Sequence, residues 1–321
     1  MDFKKLSSSV VFCSLLVLLA SCSYAILSTI VTLAVINGFG IPVILVGKFF
    51  YGWIILLVLV VLIWFIYQRK QPKHAPSTLP LWKRVGTLII TGIVMASVTI
   101  CYFLSLGYLP ISLAVVLLFQ YSWIGVVIES IAGRKLPSRN QVIACVVIVV
   151  GTILAGGIIG SGLSLAEMNP IGIMLGLLAA FFYAVFVYLS GRVSPELAPM
   201  NRSFFIASVG MAFVLIFVGS LYGGAAIIEG ITNVNALVYS IPLGLFGIAI
   251  PIFLLAVGAP KISTGMATIL NSAELPVEVL AAALIILEPV ATLRWVGVVI
   301  ILIGIALPHI IERKITSGLD E

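Results

Sequence analysis

The sequence predicts an all-α polytopic membrane protein whose ten transmembrane helices form two inverted five-helix repeats. Three observations lead to this fold class: the apolar composition, ten separate apolar runs and an internal repeat. Of the 321 residues, 62% are hydrophobic and only 9% are charged, and the mean hydropathy is +1.29. Soluble domains are far less apolar, so this composition indicates membrane spans and excludes an ordinary soluble enzyme or binding domain.

Ten runs are apolar enough to cross a bilayer as helices, which takes roughly 20 residues each. They lie at residues 10–36, 41–67, 85–106, 111–131, 141–159, 170–191, 203–222, 236–257, 262–287 and 290–310. One longer polar loop, residues 68–84, separates the second run from the third. The first run resembles a lipoprotein signal that ends at Cys22, but it stays apolar to Ile36. That length favours a membrane span over a cleaved signal.

The charges between the runs predict how the chain is oriented. With the N-terminus inside, all of the 17 Lys and Arg residues except Lys48 and Arg294 fall on the inner side, whereas Glu167, Glu229 and Glu288 fall outside. Basic residues in short loops stay in the cytoplasm, so both termini are expected to be cytoplasmic. The same distribution accounts for the net charge of +6 without a nucleic-acid partner.

A motif in the third span recurs in the eighth. Residues 102–112 align with 253–263 at an offset of 151, and Ala144 and Gly151 align with Gly297 and Gly304 at an offset of 153. The offsets predict a first repeat in residues 1–162 and a second in residues 163–321. The first repeat includes a cytoplasmic loop at residues 68–84. Chance similarity between apolar sequences is the alternative explanation. Because five spans is an odd number, the second copy is inverted.

The ninth span carries the main candidate site. Glu274 and Glu278 lie one helical turn apart and share a face, and Asn271 precedes them. Pro276 frees the carbonyl of Ser272 and predicts a kink or hinge. A charge at bilayer depth costs a few kcal/mol, so we expect these side chains to line a polar pathway, where they carry protons or bind a cationic group. Protonated carboxyls bonded to neighbouring helices are the alternative.

Lys48 lies inside the second span, at a depth similar to that of Glu278 when both are counted from the outer side. The two are predicted either to form an ion pair or to stay apart, with the lysine extending its ammonium towards the interface. A second acidic residue, Glu129, lies near the inner end of the fourth span and is expected to pair with Arg134 or Lys135.

Four uncharged polar side chains are also candidates for binding a solute. Tyr24 and Tyr183 lie mid-span at repeat-related positions, and Gln120 and Tyr121 lie in the middle of the fourth span. At an offset of 151, Gln120 aligns with Asn271. Such side chains either hydrogen-bond a polar solute or join neighbouring helices, and the sequence leaves both possibilities open.

The sequence indicates no cofactor and no metal site. The four cysteines lie inside apolar runs without metal-binding spacing, and both histidines lie at or beyond span ends. A receptor or scaffold, and an intramembrane enzyme built on carboxylates, remain the alternatives from other functional classes.

Four segments give the chain a resemblance to a known family. They are YFLSLGYLPISLA (102–114), AAFFYAVFVYLSGRV (179–193), AELPVEVLAAALIILEP (273–289) and WVGVVIILIGIAL (295–307). Their order and spacing resemble the drug/metabolite transporter superfamily, and within it the EamA type with ten spans in two repeats. Glu288 matches the family's glutamate between the last two spans. Lys48 stands where many members have arginine, and the family's Trp-Gly pair is missing around residues 20–23.

This resemblance implies a multi-pass protein of the bacterial inner membrane that exports or exchanges amino acids or related small metabolites. It also implies a small polar solute and, in many members, protons as partners. Uptake of a sugar or another metabolite is the alternative. No particular substrate and no oligomeric state follow from the resemblance.

Overall fold

The computed structural model describes residues 9–67, 80–157, 169–287 and 290–317. Within these ranges the chain is helical, with no strand. The α-helices are α1 Val10–Ile36, α2 Ile41–Tyr67, α3 Leu81–Leu106, α4 Ile111–Leu118, α5 Tyr121–Gly133, α6 Arg139–Ala155, α7 Pro170–Ser190, α8 Pro199–Thr232, α9 Val234–Gly244, α10 Ile250–Gly258, α11 Thr264–Asn271, α12 Glu274–Ala281 and α13 Thr292–Ser317. Two π-helical turns, Leu245–Ala249 and Ala282–Ile286, follow α9 and α12.

Eight helical stretches of the described chain are long and apolar enough to cross a membrane. Two more apolar helices, Arg139–Ala155 and Thr292–Leu307, are shorter. The prediction of an all-α polytopic membrane protein is therefore confirmed, whereas the count of ten spans stays a prediction. The first two helices have the predicted bounds. The third begins at Leu81 rather than at residue 85, so the end of the predicted polar loop is helical.

The fourth and ninth predicted spans each lie within one apolar helical stretch of membrane length, but a two-residue turn interrupts the α-helix in each. Phe119 and Gln120 interrupt the fourth between α4 and α5, and Ser272 and Ala273 interrupt the ninth between α11 and α12. The two interruptions match residue for residue at an offset of 153. The predicted alignment of Gln120 with Asn271 is therefore wrong.

The corrected register gives Glu274 a different counterpart. Glu274 and Tyr121 are the first residues of α12 and α5, so they occupy equivalent places. The offset is 153 from the first residues of α4 and α11 onwards, because those two half-helices have the same length. The offset of 151 therefore applies only as far as Pro110 and Lys261, and the last two residues of the predicted alignment are out of register.

The chain folds into two compact units, each assembled from segments far apart in sequence. The first unit comprises Met1–Ser97 and Leu189–Lys261, and the second comprises Val98–Tyr188 and Ile262–Glu321. Each unit therefore combines parts of both predicted repeats. The division of the sequence at residue 162 stays a prediction, since it describes internal similarity rather than compactness.

In the first unit, α2 packs against α8 and α9. A Cβ atom built on Gly52 would lie 2.5 Å from Cβ of Ile248, and one built on Gly244 would collide with the backbone of Gly52. Glycine at these positions lets two helix backbones approach to near contact, as small residues do between membrane helices.

In the second unit, α6 packs against α13 through two reciprocal contacts. A Cβ on Gly151 would lie 2.7 Å from Cγ1 of Ile301, and a Cβ on Gly304 would lie 2.7 Å from Cγ1 of Ile148. The sequence numbers rise along one helix as they fall along the other, so the helices run antiparallel. An inverted repeat requires equivalent helices to run in opposite directions, and α6 and α13, which the repeat alignment makes equivalent, do so.

We predict that Gly151→Ala lowers the free energy of unfolding by about 1–3 kcal/mol, because the added methyl overpacks the contact with Ile301. Thermal unfolding of the protein in detergent micelles measures the effect. The matched control is Gly86→Ala in α3, where a Cβ meets nothing within 4 Å; it should be neutral or stabilising, since alanine favours helix over glycine. Equal melting temperatures for the two variants would contradict the prediction.

Candidate functional site

The second unit brings together four of the predicted site residues. Tyr121 is fully buried and Tyr183 is 7% exposed, and their ring centroids lie 4.4 Å apart. Glu274, which is 5% exposed, and the half-buried Glu278 lie close enough to the Tyr121 hydroxyl to interact with it electrostatically. Helices α5, α7 and α12 thus contribute two phenols and two carboxyls to one cluster.

The interruption of the ninth span determines where Glu274 lies. The first N–H groups of a helix have no partner inside it and carry a partial positive charge, so the start of α12 favours a carboxylate. Pro276 is the third residue of α12, where a proline is tolerated because its missing N–H would be unpaired in any case. The chain therefore breaks before Pro276, at Ser272 and Ala273. A hinge at Pro276 itself stays a prediction.

Asn271 ends α11 and is fully buried, as is Ser272 beside it. One turn earlier, Thr268 donates its hydroxyl to the carbonyl oxygen of Ser122 in α5, at 3.2 Å. A Cβ on Gly125 would collide with Thr268. These contacts fix α11 against α5 and so hold Asn271 at the edge of the cluster.

Glu129 contacts a helix end rather than basic neighbours. Its carboxylate accepts the N–H groups of Thr264 at 3.2 Å and Gly265 at 2.7 Å, while Ser263 Oγ accepts that of Met266 at 3.1 Å. The first three N–H groups of α11 are thereby satisfied. The predicted pairing with Arg134 or Lys135 is wrong, because the partially positive start of α11 occupies this carboxylate in the described structure.

Gln120 lies in the interruption of the fourth span and is half-buried. Its side-chain amide donates to the carbonyl of Val116 at 2.9 Å, and its oxygen accepts the indole N–H of Trp123 at 2.9 Å. Its polar atoms thus form hydrogen bonds with residues three and four positions away, and a role in binding a solute stays a prediction.

The first unit holds the other two predicted residues, Lys48 and Tyr24. The Lys48 ammonium lies 3.3 Å from the Tyr24 hydroxyl, 5.0 Å from the Tyr24 ring centroid and 5.7 Å from that of Phe49. Lys48 is only 1% exposed, whereas a lysine that snorkels keeps its ammonium in water. Glu278 belongs to the second unit, and its pairing with Lys48 stays a prediction.

Sequence reasoning missed the π-turn beside this lysine. Ile250 donates to the carbonyl of Leu245, five residues back. The carbonyl of Phe246 finds no donor at the same spacing, since Pro251 lacks an N–H. Ser23 of α1 donates its hydroxyl to it at 3.0 Å. The sequence signal that could have revealed the π-turn is Pro251 after an apolar turn, together with Ser23 on a facing span.

Arg202 was counted as a basic residue of an inner loop, yet it is 2% exposed. It donates to the carbonyl of Val193 at 2.9 Å and to that of Ala256. In an α-helix the Ala256 carbonyl would accept the N–H of residue 260, which is a proline. The arginine therefore satisfies a carbonyl that Pro260 leaves without its donor.

Arg294, an exception to the charge rule, has a comparable role. It donates to the carbonyl of Ala155 at the end of α6, at 3.0 Å. Glu288 lies outside the described residues. Among the described residues, no three His, Cys, Asp or Glu side chains are placed to hold a metal ion.

The family model described as the EamA-like transporter family matches residues 170–308. The match covers most of the second half of the chain and supports a relation to this family. A solved structure titled "Crystal structure of protein" matches with a TM-score of 0.72 at 15% identity, covering 94% of this chain and 98% of its own, a likeness that concerns the fold alone. No curated protein matches the chain.

The match to this family indicates a transporter of the drug/metabolite type. Members of the family are transporters rather than enzymes. With eight membrane-length apolar helices among its described residues, the protein is a multi-pass membrane protein whose partners are the lipid bilayer and a small-molecule substrate.

We predict that Glu129→Ala lowers the free energy of unfolding by about 1–2 kcal/mol, the usual cost of removing a capping side chain. Glu129→Gln should lose less, since its amide oxygen still accepts an N–H. Thermal unfolding in detergent checks both variants. Glu229→Ala, at an exposed site in α8, is the control, and an equal loss there would show that the cap contributes nothing.

Proposed function

We propose that the protein is a secondary active transporter of the bacterial inner membrane that exports or exchanges amino acids or related small metabolites. It works by alternating access, couples transport to protons through Glu274, and has both termini in the cytoplasm. The observation that carries this proposal is a buried carboxyl at the start of a half-helix, directly after an interruption in a membrane span.

Interrupted helices support a transport role. Each interruption here is a two-residue turn that keeps right-handed helical backbone angles, and transporters use breaks in membrane helices to bind substrates and coupling ions. Here α5 and α12 begin at matching positions, with Tyr121 and Glu274 as their first residues.

The chemistry of the cluster suits a proton or an amino group. A carboxyl at bilayer depth exchanges a proton or pairs with a cation at lower cost than it remains charged alone. The rings of Tyr121 and Tyr183 add aromatic surface, which attracts ammonium groups. We therefore assign Glu274 to proton or amino-group binding, and we propose that Asn271, Glu278 and the two tyrosines contact the solute.

The substrate class is open to direct measurement. Metabolite pools inside and outside cells that overexpress the protein should shift for amino acids or their relatives relative to cells without it. A shift confined to sugars would favour the alternative of a sugar carrier. Pools that do not shift for any compound would contradict transport of small metabolites.

We predict that Glu274→Gln abolishes proton-driven flux while the protein still folds, because the amide keeps the size of the side chain but does not ionise and so cannot take up and release a proton. Flux driven by a pH gradient in proteoliposomes, together with thermal unfolding, measures both properties. Glu274→Asp should retain part of the flux.

The control for this variant is Glu229→Gln, which removes a carboxyl from an exposed position of α8. It should leave proton-driven flux unchanged. Wild-type flux in Glu274→Gln would remove Glu274 from the mechanism, and a protein that no longer folds would assign this side chain a structural role.

A further inference from the structure

We propose that Arg202 is a positioning residue for the transport cycle. It joins two of the segments through which the chain passes between its two units, so that the helices attached to these segments move together. This inference rests on the proposed alternating access and adds a residue outside the cluster of the second unit. The contacts that carry it all lie within the first unit.

The chain passes between the two units three times: within α3 after Ser97, near the end of α7 after Tyr188, and before α11 after Lys261. The second passage is followed by the loop of residues 191–198, and the third is preceded by α10. Alternating access moves one bundle of helices against another. Such a movement has to bend the chain at these passages, as hinges do at the ends of helices and in loops.

Arg202 binds a segment beside each of the last two passages. Its guanidinium donates to the carbonyl of Val193 in the loop, at 2.9 Å, and to the carbonyl of Ala256 in α10. The group is planar and holds its donors in a rigid fork, so it keeps the two carbonyls at a fixed separation. Arg202 is 2% exposed, and the low dielectric constant around it strengthens both hydrogen bonds.

Two further contacts hold the same loop. A Cβ built on Gly191 would lie 3.0 Å from the carbonyl oxygen of Ala259, so a larger residue there would crowd the loop against the chain that follows α10. Glu196 forms an ion pair with Arg84 of α3, and it lies close enough to Arg202 to interact with it electrostatically. The loop is therefore attached to each of the three segments that lead from one unit to the other.

These contacts form a fixed anchor rather than a gate. Arg202, Val193 and Ala256 belong to one compact unit, so their hydrogen bonds persist when that unit moves as a body. Bending is then left to the backbone beyond the anchor, such as Ile262 and Ser263, which lie outside any helix directly before α11.

The two anchored passages lead to the candidate site. Helix α7 carries Tyr183, and α11 ends at Asn271, shortly before Glu274 begins α12. An anchor that joins both passages makes α7 and α11 change position in the same step. Without it, the two helices can move separately, so that a cycle fails to complete although the solute still binds. Loss of the anchor should therefore lower kcat and leave KM unchanged.

The test combines hydrogen–deuterium exchange of the purified full-length protein with transport in proteoliposomes, where a mixture of the twenty amino acids is the probe. Arg202→Lys keeps the charge but lacks the fork that reaches both carbonyls. Amide exchange should rise in residues 189–198 and 255–261 together, by about 10- to 100-fold, the range for one lost hydrogen bond to a charged group. For each amino acid that the wild type exchanges, kcat should fall several-fold while KM stays the same.

Two changes in α3 separate positioning from folding. Arg84→Gln removes the ion pair with Glu196 at a partly exposed site, so the protein should fold, amide exchange in residues 189–198 should rise and kcat should fall. Lys83→Gln is the matched control, since this exposed neighbour contacts Trp82, at 5.2 Å, rather than the loop; it should change neither measurement. If Arg202→Lys does not fold, wild-type amide exchange and kcat in Arg84→Gln overturn the proposal.

The outcomes distinguish the anchor from the function. Faster amide exchange confined to one of the two segments in Arg202→Lys would overturn the anchor, as would a raised KM at unchanged kcat or a lowered melting temperature with unchanged transport; in each case transport itself stands. A wild type that exchanges none of the amino acids would overturn the proposed function. Amide exchange then decides the anchor alone: a joint rise in both segments supports it, and a rise in one segment or in neither overturns it.

Discussion

The structure depends on one constraint: a backbone polar group that lies inside a membrane must find a hydrogen-bond partner within the protein. Uninterrupted helices satisfy it automatically, and this chain departs from such helices at several points. At three of the described departures a side chain from a distant segment supplies the missing partner. Ser23 donates a hydrogen bond to the carbonyl beside the π-turn, and Arg202 donates one to a carbonyl whose helical donor is replaced by a proline. Glu129 accepts hydrogen bonds from the first N–H groups of α11. These polar residues compensate for irregular backbone, and the irregular backbone lies where the candidate site residues are.

The same constraint separates two kinds of buried charge in this protein. Arg202 and Glu129 contact backbone groups at helix ends, so the fold itself stabilises their charges. Lys48 lies beside a tyrosine hydroxyl, and Glu274 lies within electrostatic range of another. Burial alone therefore does not identify a functional charge in a membrane protein; the chemical nature of its neighbours does.

The sequence predicted what hydrophobic length and periodicity determine, and it failed where tertiary contacts decide. The bounds of α1 and α2 follow from unbroken apolar runs. No proline or glycine marks the interruption at Phe119 and Gln120 in the sequence. Local helix preference therefore did not predict it. The partner of Glu129 is 135 residues away in sequence, so only the fold could reveal it. Arg134 and Lys135 are closer to Glu129 in sequence, and the prediction chose them for that reason. Sequence also placed Lys48 inside a span but could not orient its ammonium.

The register of the two interruptions gives the candidate site its asymmetry. Tyr121 and Glu274 begin half-helices that match in position. Two carboxylates at these positions would repel each other in a medium of low dielectric constant, and at least one would have to stay protonated. A phenol in one copy avoids that repulsion and still offers a donor and an acceptor. The two matching half-helices thus begin with different side chains, and this difference restricts the carboxyl to one of the two positions, as the proposed role of Glu274 in proton or amino-group binding requires.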